Sequence, residues 1–140
     1  MLINALTIPR GDLRYLRINQ DVACLSSDAV GDLVCIRDIP VNGKWRVEKA
    51  NPGDASKMPS IGILTKKITP TVGVVQLYGP VFNIFSGLTI KKTYCVDYDG
   101  IRIGPPGIGP SGYSFRQFIG VSIATDILFL EIDLSMIKRR

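Results

Sequence analysis

The chain has 140 residues, of which 46% are hydrophobic and 21% are charged, and this predicts one globular domain that folds without disulfides or metals. Three of its 17 cationic residues are Lys138, Arg139 and Arg140, which leaves 14 cationic against 12 acidic residues in the rest. The body of the chain is therefore nearly neutral, which disfavours a nucleic-acid binder with a basic stripe. The sequence has no histidine, so the commonest general base and metal ligand is missing.

The N-terminus and the cysteines bear on targeting and on redox chemistry. Residues 1–6 have no charged start and no long apolar core, so no secretory signal is predicted. No run of about 18 apolar residues predicts a membrane-spanning helix. The three cysteines, Cys24, Cys35 and Cys95, form no close pair, so we expect free thiols rather than a disulfide framework or a zinc site. A Cys24–Cys35 bridge stays open if their strands are neighbours.

The first third of the chain predicts an arm followed by short strands. Residues 1–12 are mildly apolar and contain Pro9 and Gly11, which is typical of an arm or a short edge strand. Residues 13–18 alternate in a mixed pattern that fits an edge strand or a strand that faces a partner. Asn42-Gly43 predicts a hairpin turn because both residues tolerate positive φ. After this turn, Trp45 and Val47 alternate with charged residues and are expected to face inward.

The strongest pattern lies at residues 59–79. Two apolar runs, Ile61–Leu64 and Val72–Val75, are separated by Thr69-Pro70-Thr71, where the proline interrupts the ladder and turns the chain. Both faces of these runs are apolar, so we expect the hairpin to be central in a sandwich or barrel. Lys66 and Lys67 near the tip indicate a solvent-exposed turn.

The last third predicts two further hairpins. Asp99-Gly100 is a favoured turn dipeptide, and the Gly- and Pro-rich residues 104–112 predict an exposed loop. Thr125-Asp126 predicts a turn before a last strand at Ile127–Ile132. The alternating residues between the loop and this turn are predicted to share one face: Phe115, Gln117, Ile119, Val121 and Ile123.

These elements predict an all-β fold. The segment nearest to helical is Asp54–Met58, one turn at most. Short strands between turn signals predict a compact barrel or sandwich of mostly antiparallel strands over residues 13–134, between the arm (1–12) and a basic C-terminal tail (135–140). The inward members of the strands are the predicted core or subunit interface: Trp45, Ile61, Ile63, Val74, Tyr94, Ile119 and Val121.

No motif predicts catalysis. Asp97 and Asp99 lack the further ligands of a calcium loop, so hairpin turn chemistry is the simpler interpretation. Gly107-Ile108-Gly109 is not followed by the Lys-Ser/Thr pair or the helix of a phosphate loop. Ser111 and Ser114 have no histidine to activate them. We therefore expect no enzyme activity, no catalytic residue, no cofactor and no bound metal.

The candidate interface lies in the N-terminal region. The arm is apolar yet precedes the first clear strand, so its residues have few local partners and are expected to be buried against another chain. Arg14, Arg17, Tyr15 and Tyr113 offer charges and rings that can stack on nucleic-acid bases, whereas the simpler interpretation is that each arginine covers apolar surface or pairs with a carboxylate. The candidate interface residues are Leu2, Ile3, Leu6, Ile8, Arg14, Tyr15 and Arg17.

The order of several segments resembles small structural proteins of tailed bacteriophages, in particular the capsid cement or decoration proteins with a compact β-barrel-like domain. The resemblance runs from about Ala29 to Leu130 and excludes the arm and the basic tail. The segments that carry it are Ala29–Val34, Lys57–Ile63, Tyr78–Val81, Thr93–Gly100, Pro105-Pro106, Gln117–Thr125 and Ile127–Leu130.

This resemblance implies a mechanical role in the virion. The protein is expected to be made in the host cytoplasm, to form a homo-oligomer (a trimer is favoured) and to bind the major capsid protein or other virion subunits at their junctions. The same module also occurs in tail, neck and adsorption-fibre components, so those locations stay open, although the capsid surface is favoured. No membrane partner is implied. A nucleic-acid-binding β-barrel is the alternative from another class.

Overall fold

The computed structural model describes residues 18–41, 44–97, 100–103, 115–134 and 137–138. Over these ranges the chain is built from β-strands and contains no α-helix, which confirms the all-β prediction. The segment with the nearest helical pattern is a single 3-10 turn, Ala55–Lys57, in which the Ser56 backbone amide donates to the Asp54 carboxylate. The predicted arm, the loop at 104–112 and the Asn42-Gly43 and Asp99 turn positions lie outside the described residues.

Five strands of the first half close into a barrel. They are β1 (Asn19–Ala23), β2 (Leu33–Val41), β3 (Lys44–Lys49), β4 (Ser60–Thr69) and β5 (Val72–Gln76). Their order around the barrel is β1-β3-β2-β4-β5, and β5 pairs back onto β1. Strands β1 and β3 run parallel, and the other neighbours are antiparallel. Because the barrel closes, its strands leave no row of unpaired backbone groups.

The second half forms an open antiparallel sheet. Its strands are β6 (Tyr78–Val81), β7 (Thr93–Asp97), β8 (Gly100–Ile103), β10 (Phe118–Ala124) and β11 (Ile127–Glu131), in the order β6-β11-β10-β7-β8. A separate two-stranded ladder joins β9 (Phe115–Arg116) to β12 (Ile137–Lys138). Two residues of the predicted basic tail thus pair with the strand that precedes β10.

The predicted turns connect antiparallel neighbours. Thr69 pairs with Val72 across the Pro70-Thr71 turn, and Ala124 pairs with Ile127 across Thr125-Asp126. The chain on either side of the other two predicted turns is also paired, as β2 with β3 and as β7 with β8. The residues that tolerate tight turns therefore determine where the hairpins form.

Two cores follow from the alternation of the strands. The barrel core consists of Val22, Cys24, Val34, Val47, Leu64 and Val75. The central core lies between the barrel wall and the second sheet and consists of Leu33, Cys35, Ala50, Met58, Ile63, Val81, Leu88, Tyr94, Val96, Ile119, Leu128 and Leu130. Neighbouring residues on β4 point to different cores. Both faces of the central hairpin are therefore apolar because one faces the barrel interior and the other faces the second sheet.

One buried amide joins the barrel to the second sheet. The Ser60 backbone amide donates to Gln117 Oε1 at 2.8 Å, and Gln117 Nε2 donates to the Ser60 carbonyl at 2.8 Å and to the Asp133 carbonyl at 3.0 Å. Gln117 is only 1% exposed, so these bonds satisfy a polar group that burial would otherwise penalise.

A bulge in β10 corrects the predicted alternation of residues 115–123. The register of β10 on β7 shifts between Phe118 and Gly120, so Ile119 and Gly120 both take inward positions. After the shift, the residues that strict alternation would place inward point outward, and the residues between them point inward. Val121 and Ile123 are 39% and 53% exposed, and Ser122 between them is buried. One extra residue in a strand exchanges the two faces for everything after it, which is why strict alternation wrongly places Val121 and Ile123 with Ile119.

Candidate assembly surface

An apolar row crosses the solvent side of the second sheet. The strand register places Pro80 beside Phe129, Phe129 beside Val121 and Val121 beside Thr93, which joins four strands. The alternate residues of these strands point the other way, into the central core. We use the name outer face for the exposed side of the sheet, formed by Tyr78, Pro80, Thr93, Val121, Ile123 and Phe129.

Aromatic packing makes one corner of the outer face rigid. The rings of Tyr78 and Phe129 meet edge to face, with centroids 5.4 Å apart and planes at 83°. Tyr78 remains 48% exposed, although its ring is held in place by this contact. Aromatic side chains that are fixed and exposed lose little conformational entropy on binding, which is why they are enriched at protein interfaces.

The β6 edge of the same sheet is protected against pairing with another strand. Gln76 Nε2 donates to the Tyr78 carbonyl at 3.0 Å and to the Pro80 carbonyl at 2.8 Å. Pro80 also has no amide hydrogen to offer. The backbone groups that would template another strand are therefore occupied or absent along β6. Strand addition at this edge is therefore disfavoured, while the side chains of the outer face stay exposed.

A second apolar surface is an open groove of about 260 Å³ between the barrel and the end of β11, lined by Trp45, Ile61, Leu77, Ile132 and Leu134. Ile61 and Leu77 pack against the barrel core, and Ile132 packs against the central core. Trp45, which alternation with Val47 places inward, is 37% exposed because it lies in this groove rather than inside the barrel. Leu134, the last residue of the lining, is 63% exposed.

The two lysines near the tip of the central hairpin differ in exposure and in hydrogen bonding. Lys66 is exposed as predicted, whereas Lys67 is half-buried. Lys67 Nζ donates to the carbonyls of Asp28 at 2.7 Å and of Leu25 and Ser26 at 3.3 Å each. Its ammonium group thus fixes the loop after β1 and is engaged by three acceptors, so it is a poor candidate for binding an external anion.

The three cysteines are buried and free, which confirms the prediction of free thiols. Cys24 belongs to the barrel core and Cys35 to the central core, so the wall of the barrel separates them. Burial, together with the nearby Glu48 carboxylate, raises the pKa of Cys35 to about 12, so the thiol stays protonated at neutral pH. Burial also raises the pKa of Cys24. Neither group is a reactive nucleophile.

The sequence-predicted interface residues and the surfaces described above are different parts of the chain. Leu2, Ile3, Leu6, Ile8, Arg14, Tyr15 and Arg17 all lie outside the described residues. Of the predicted core or interface set, Ile63, Tyr94 and Ile119 are buried and Val121 is on the outer face. Sequence reasoning missed Tyr78 and Phe129. The unbroken apolar run Ile127–Leu130 is the signal that predicts a strand apolar on both faces.

Among the described residues, no three acidic or cysteine side chains lie close enough together to hold a metal ion, and no helix is long and apolar enough to span a membrane. Comparison of the chain with protein-family models, with curated proteins and with solved structures found no match.

Proposed function

We propose that this chain is a structural protein of a tailed-bacteriophage virion and serves there as a capsid cement or decoration protein, without enzymatic activity. The outer face supports the assembly role, because it presents a continuous apolar row on a rigid sheet. The assignment to the virion is supported by the sequence resemblance between Ala29 and Leu130. Under this proposal the outer face binds the major capsid protein at junctions between its subunits.

The physical basis of such a role is the removal of apolar surface from water. Burying a Val or Phe side chain stabilises a contact by about 1.5–3 kcal/mol, so a row of three or four apolar side chains suffices as the centre of an interface. The row is rigid because each strand also contributes to the central core, so little conformational entropy is lost on binding. A rigid domain that spans a junction slows the opening of that junction, which raises the kinetic stability of a shell under internal pressure.

The test is to locate and count the protein on particles. Particles produced from the genome that encodes this chain are analysed by quantitative mass spectrometry and imaged by cryo-electron microscopy. We expect many copies at regular positions on the head. A few copies at the neck, tail or fibres would identify the alternative location. Absence from particles, together with salt-dependent binding of the purified chain to DNA or RNA, would contradict the proposal and favour a nucleic-acid-binding barrel.

A further inference from the structure

The groove lined by Trp45 and Leu134 is the second apolar surface that a single copy leaves open. Its walls come from both halves of the fold, since Trp45, Ile61 and Leu77 belong to the barrel region and Ile132 and Leu134 follow β11. An open groove lined by five apolar side chains stays in contact with water at a cost in free energy. It therefore fits an apolar segment of protein rather than a charged ligand.

The described chain begins at this groove. The Leu77 amide donates to the Ile18 carbonyl at 2.6 Å, so Ile18 lies against one wall of the groove. Seventeen residues precede Ile18, and the first eight of them contain four large aliphatic side chains, Leu2, Ile3, Leu6 and Ile8. The chain thus carries an apolar segment of suitable chemistry, connected to the wall of an apolar groove.

We propose that the groove binds the segment Leu2–Ile8 of a second copy of this chain, so that neighbouring copies exchange N-terminal arms. The proposal rests on the proposed function in one respect, because cement subunits assemble side by side on a shell. It goes beyond that function by naming the receptor of the arm and the segment that fills it.

The separation between segment and groove favours a second copy over the same chain. Ile8 lies ten residues before Ile18, a reach of up to about 33 Å when extended, whereas a domain of this size has a radius of gyration of about 14 Å. The residues that precede Ile18 in the sequence include Arg14 and Arg17, whose charges do not suit an apolar lining. Because Ile18 lies beside the groove, return of Leu2–Ile8 to its own groove would require the chain to reverse within residues 9–17, a constraint that the groove of a second copy does not impose.

A fluorescent side chain in the groove reports whether the groove is filled. Trp45 is the single tryptophan of the chain and is 37% exposed in the open groove. Its fluorescence emission shifts to shorter wavelength when the ring leaves water. The full-length chain is diluted over a wide concentration range, and Trp45 emission is recorded beside the molar mass from light scattering. We expect the emission to shift to shorter wavelength in step with association.

Variants on each side of the proposed contact make the test specific. Leu134→Ser in the groove and Leu6→Ser in the arm should each raise the dissociation constant of association by roughly tenfold and move the emission shift to correspondingly higher concentration. Val30→Ser is the matched control, since Val30 is 50% exposed and does not line the groove. Circular dichroism of each variant verifies that the β structure is retained.

The other outcomes each overturn the inference. Association without a change in Trp45 emission would show that copies assemble through another surface, and the proposed function would stand. Short-wavelength emission at every concentration, without association, would show that the groove is filled by the arm of its own chain. A monomer with exposed Trp45 throughout would show that the groove is empty, and the count of copies on particles would then decide the proposed function separately.

Discussion

The barrel and the second sheet are built from similar strands, but the barrel is closed whereas the second sheet is open. The barrel returns β5 to β1, so its apolar side chains turn inward around Val22, Leu64 and Val75 and its backbone groups pair all the way round. The second sheet stops at β6 and β8. Its inner face is covered by the barrel wall, and its outer face, with Val121 and Phe129, is covered by nothing in the described chain.

Because of this difference, the barrel is stable without a partner, whereas the second sheet keeps an apolar face available for contact. A closed barrel satisfies its polar backbone and apolar side chains without a partner, so it serves as the rigid base. An open sheet keeps an edge and a face. Here the β6 edge is blocked by Gln76 and Pro80, while the face beside it remains apolar. The β6 side of the sheet is therefore protected against unspecific strand pairing, while the outer face beside it stays available for contact.

The largest effect is expected where barrel and sheet share a core. Ile63 and Ile119 are fully buried on opposite sides of the central core, so Ile63→Ala or Ile119→Ala should lower the free energy of unfolding by about 2–5 kcal/mol. Urea denaturation followed by circular dichroism measures this. Ile68→Ala, at a 57% exposed position, is the control and should change it by less than about 0.5 kcal/mol. A loss below about 0.5 kcal/mol at Ile63 would show that the barrel and the second sheet do not stabilise each other through the central core.

Removing the buried amide should loosen the joint between the halves. Gln117→Leu leaves the Ser60 amide and carbonyl without their partner in a buried site, at an expected cost of roughly 1–3 kcal/mol. Gln20→Leu, at a half-exposed position on β1, is the matched control and should be nearly neutral. Hydrogen exchange at Ser60 should accelerate in the Gln117 variant alone. Unchanged protection there would show that Gln117 does not hold the halves together.

The pH dependence should report the burial of Cys35. The pKa of this thiol is raised from 9.0 to about 12 in the folded state, so between these values the folded chain keeps a proton that the unfolded chain releases. Stability from this group is complete below pH 9 and falls as pH rises towards 12, by up to about 1.4 kcal/mol per pH unit. Chemical denaturation at several pH values measures the slope. Cys35→Ala should flatten it, and an equal slope in that variant would contradict the assignment.

On the outer face, stability and binding should respond differently. Val121→Asp changes a 39% exposed side chain outside both cores, so the free energy of unfolding should fall by no more than about 1 kcal/mol. Attachment to particles should weaken by at least roughly tenfold, because an apolar contact is replaced by a buried charge. Ile68→Asp provides the same chemical change away from the sheet. Equal attachment by both variants would exclude the outer face as the binding surface.

The smallest effect on folding is expected at the N-terminus. Deletion of residues 1–11 leaves every described residue of both cores in place, so the β structure seen by circular dichroism should be retained. Assembly or attachment to particles should weaken, because the apolar arm is lost. Tight decoration by the shortened chain would show that the arm is dispensable. Failure to fold would show that it is an integral strand of the domain.

Local chemistry was enough to predict the fold class and the hairpins. Pro70 with Thr71, and Thr125 with Asp126, restrict the backbone to turns whatever surrounds them, so the sequence predicts where strands end. The candidate surfaces were harder to predict. Tyr78, Phe129 and Leu134 look like ordinary apolar residues in the sequence, because their exposure depends on what packs opposite them.

By itself, the sequence determined the all-β class, the central hairpin with two apolar faces and the free thiols, since all three depend on residue type and short spacing. Only the tertiary structure decided which strands close the barrel, that Trp45 lines a groove, and that Val121 points outward. Closure of β5 onto β1 joins residues some fifty positions apart, which no local pattern encodes. The bulge at Ile119 follows from fitting β10 to its neighbours, and a shift of one residue was sufficient to turn a predicted core residue into part of the outer face.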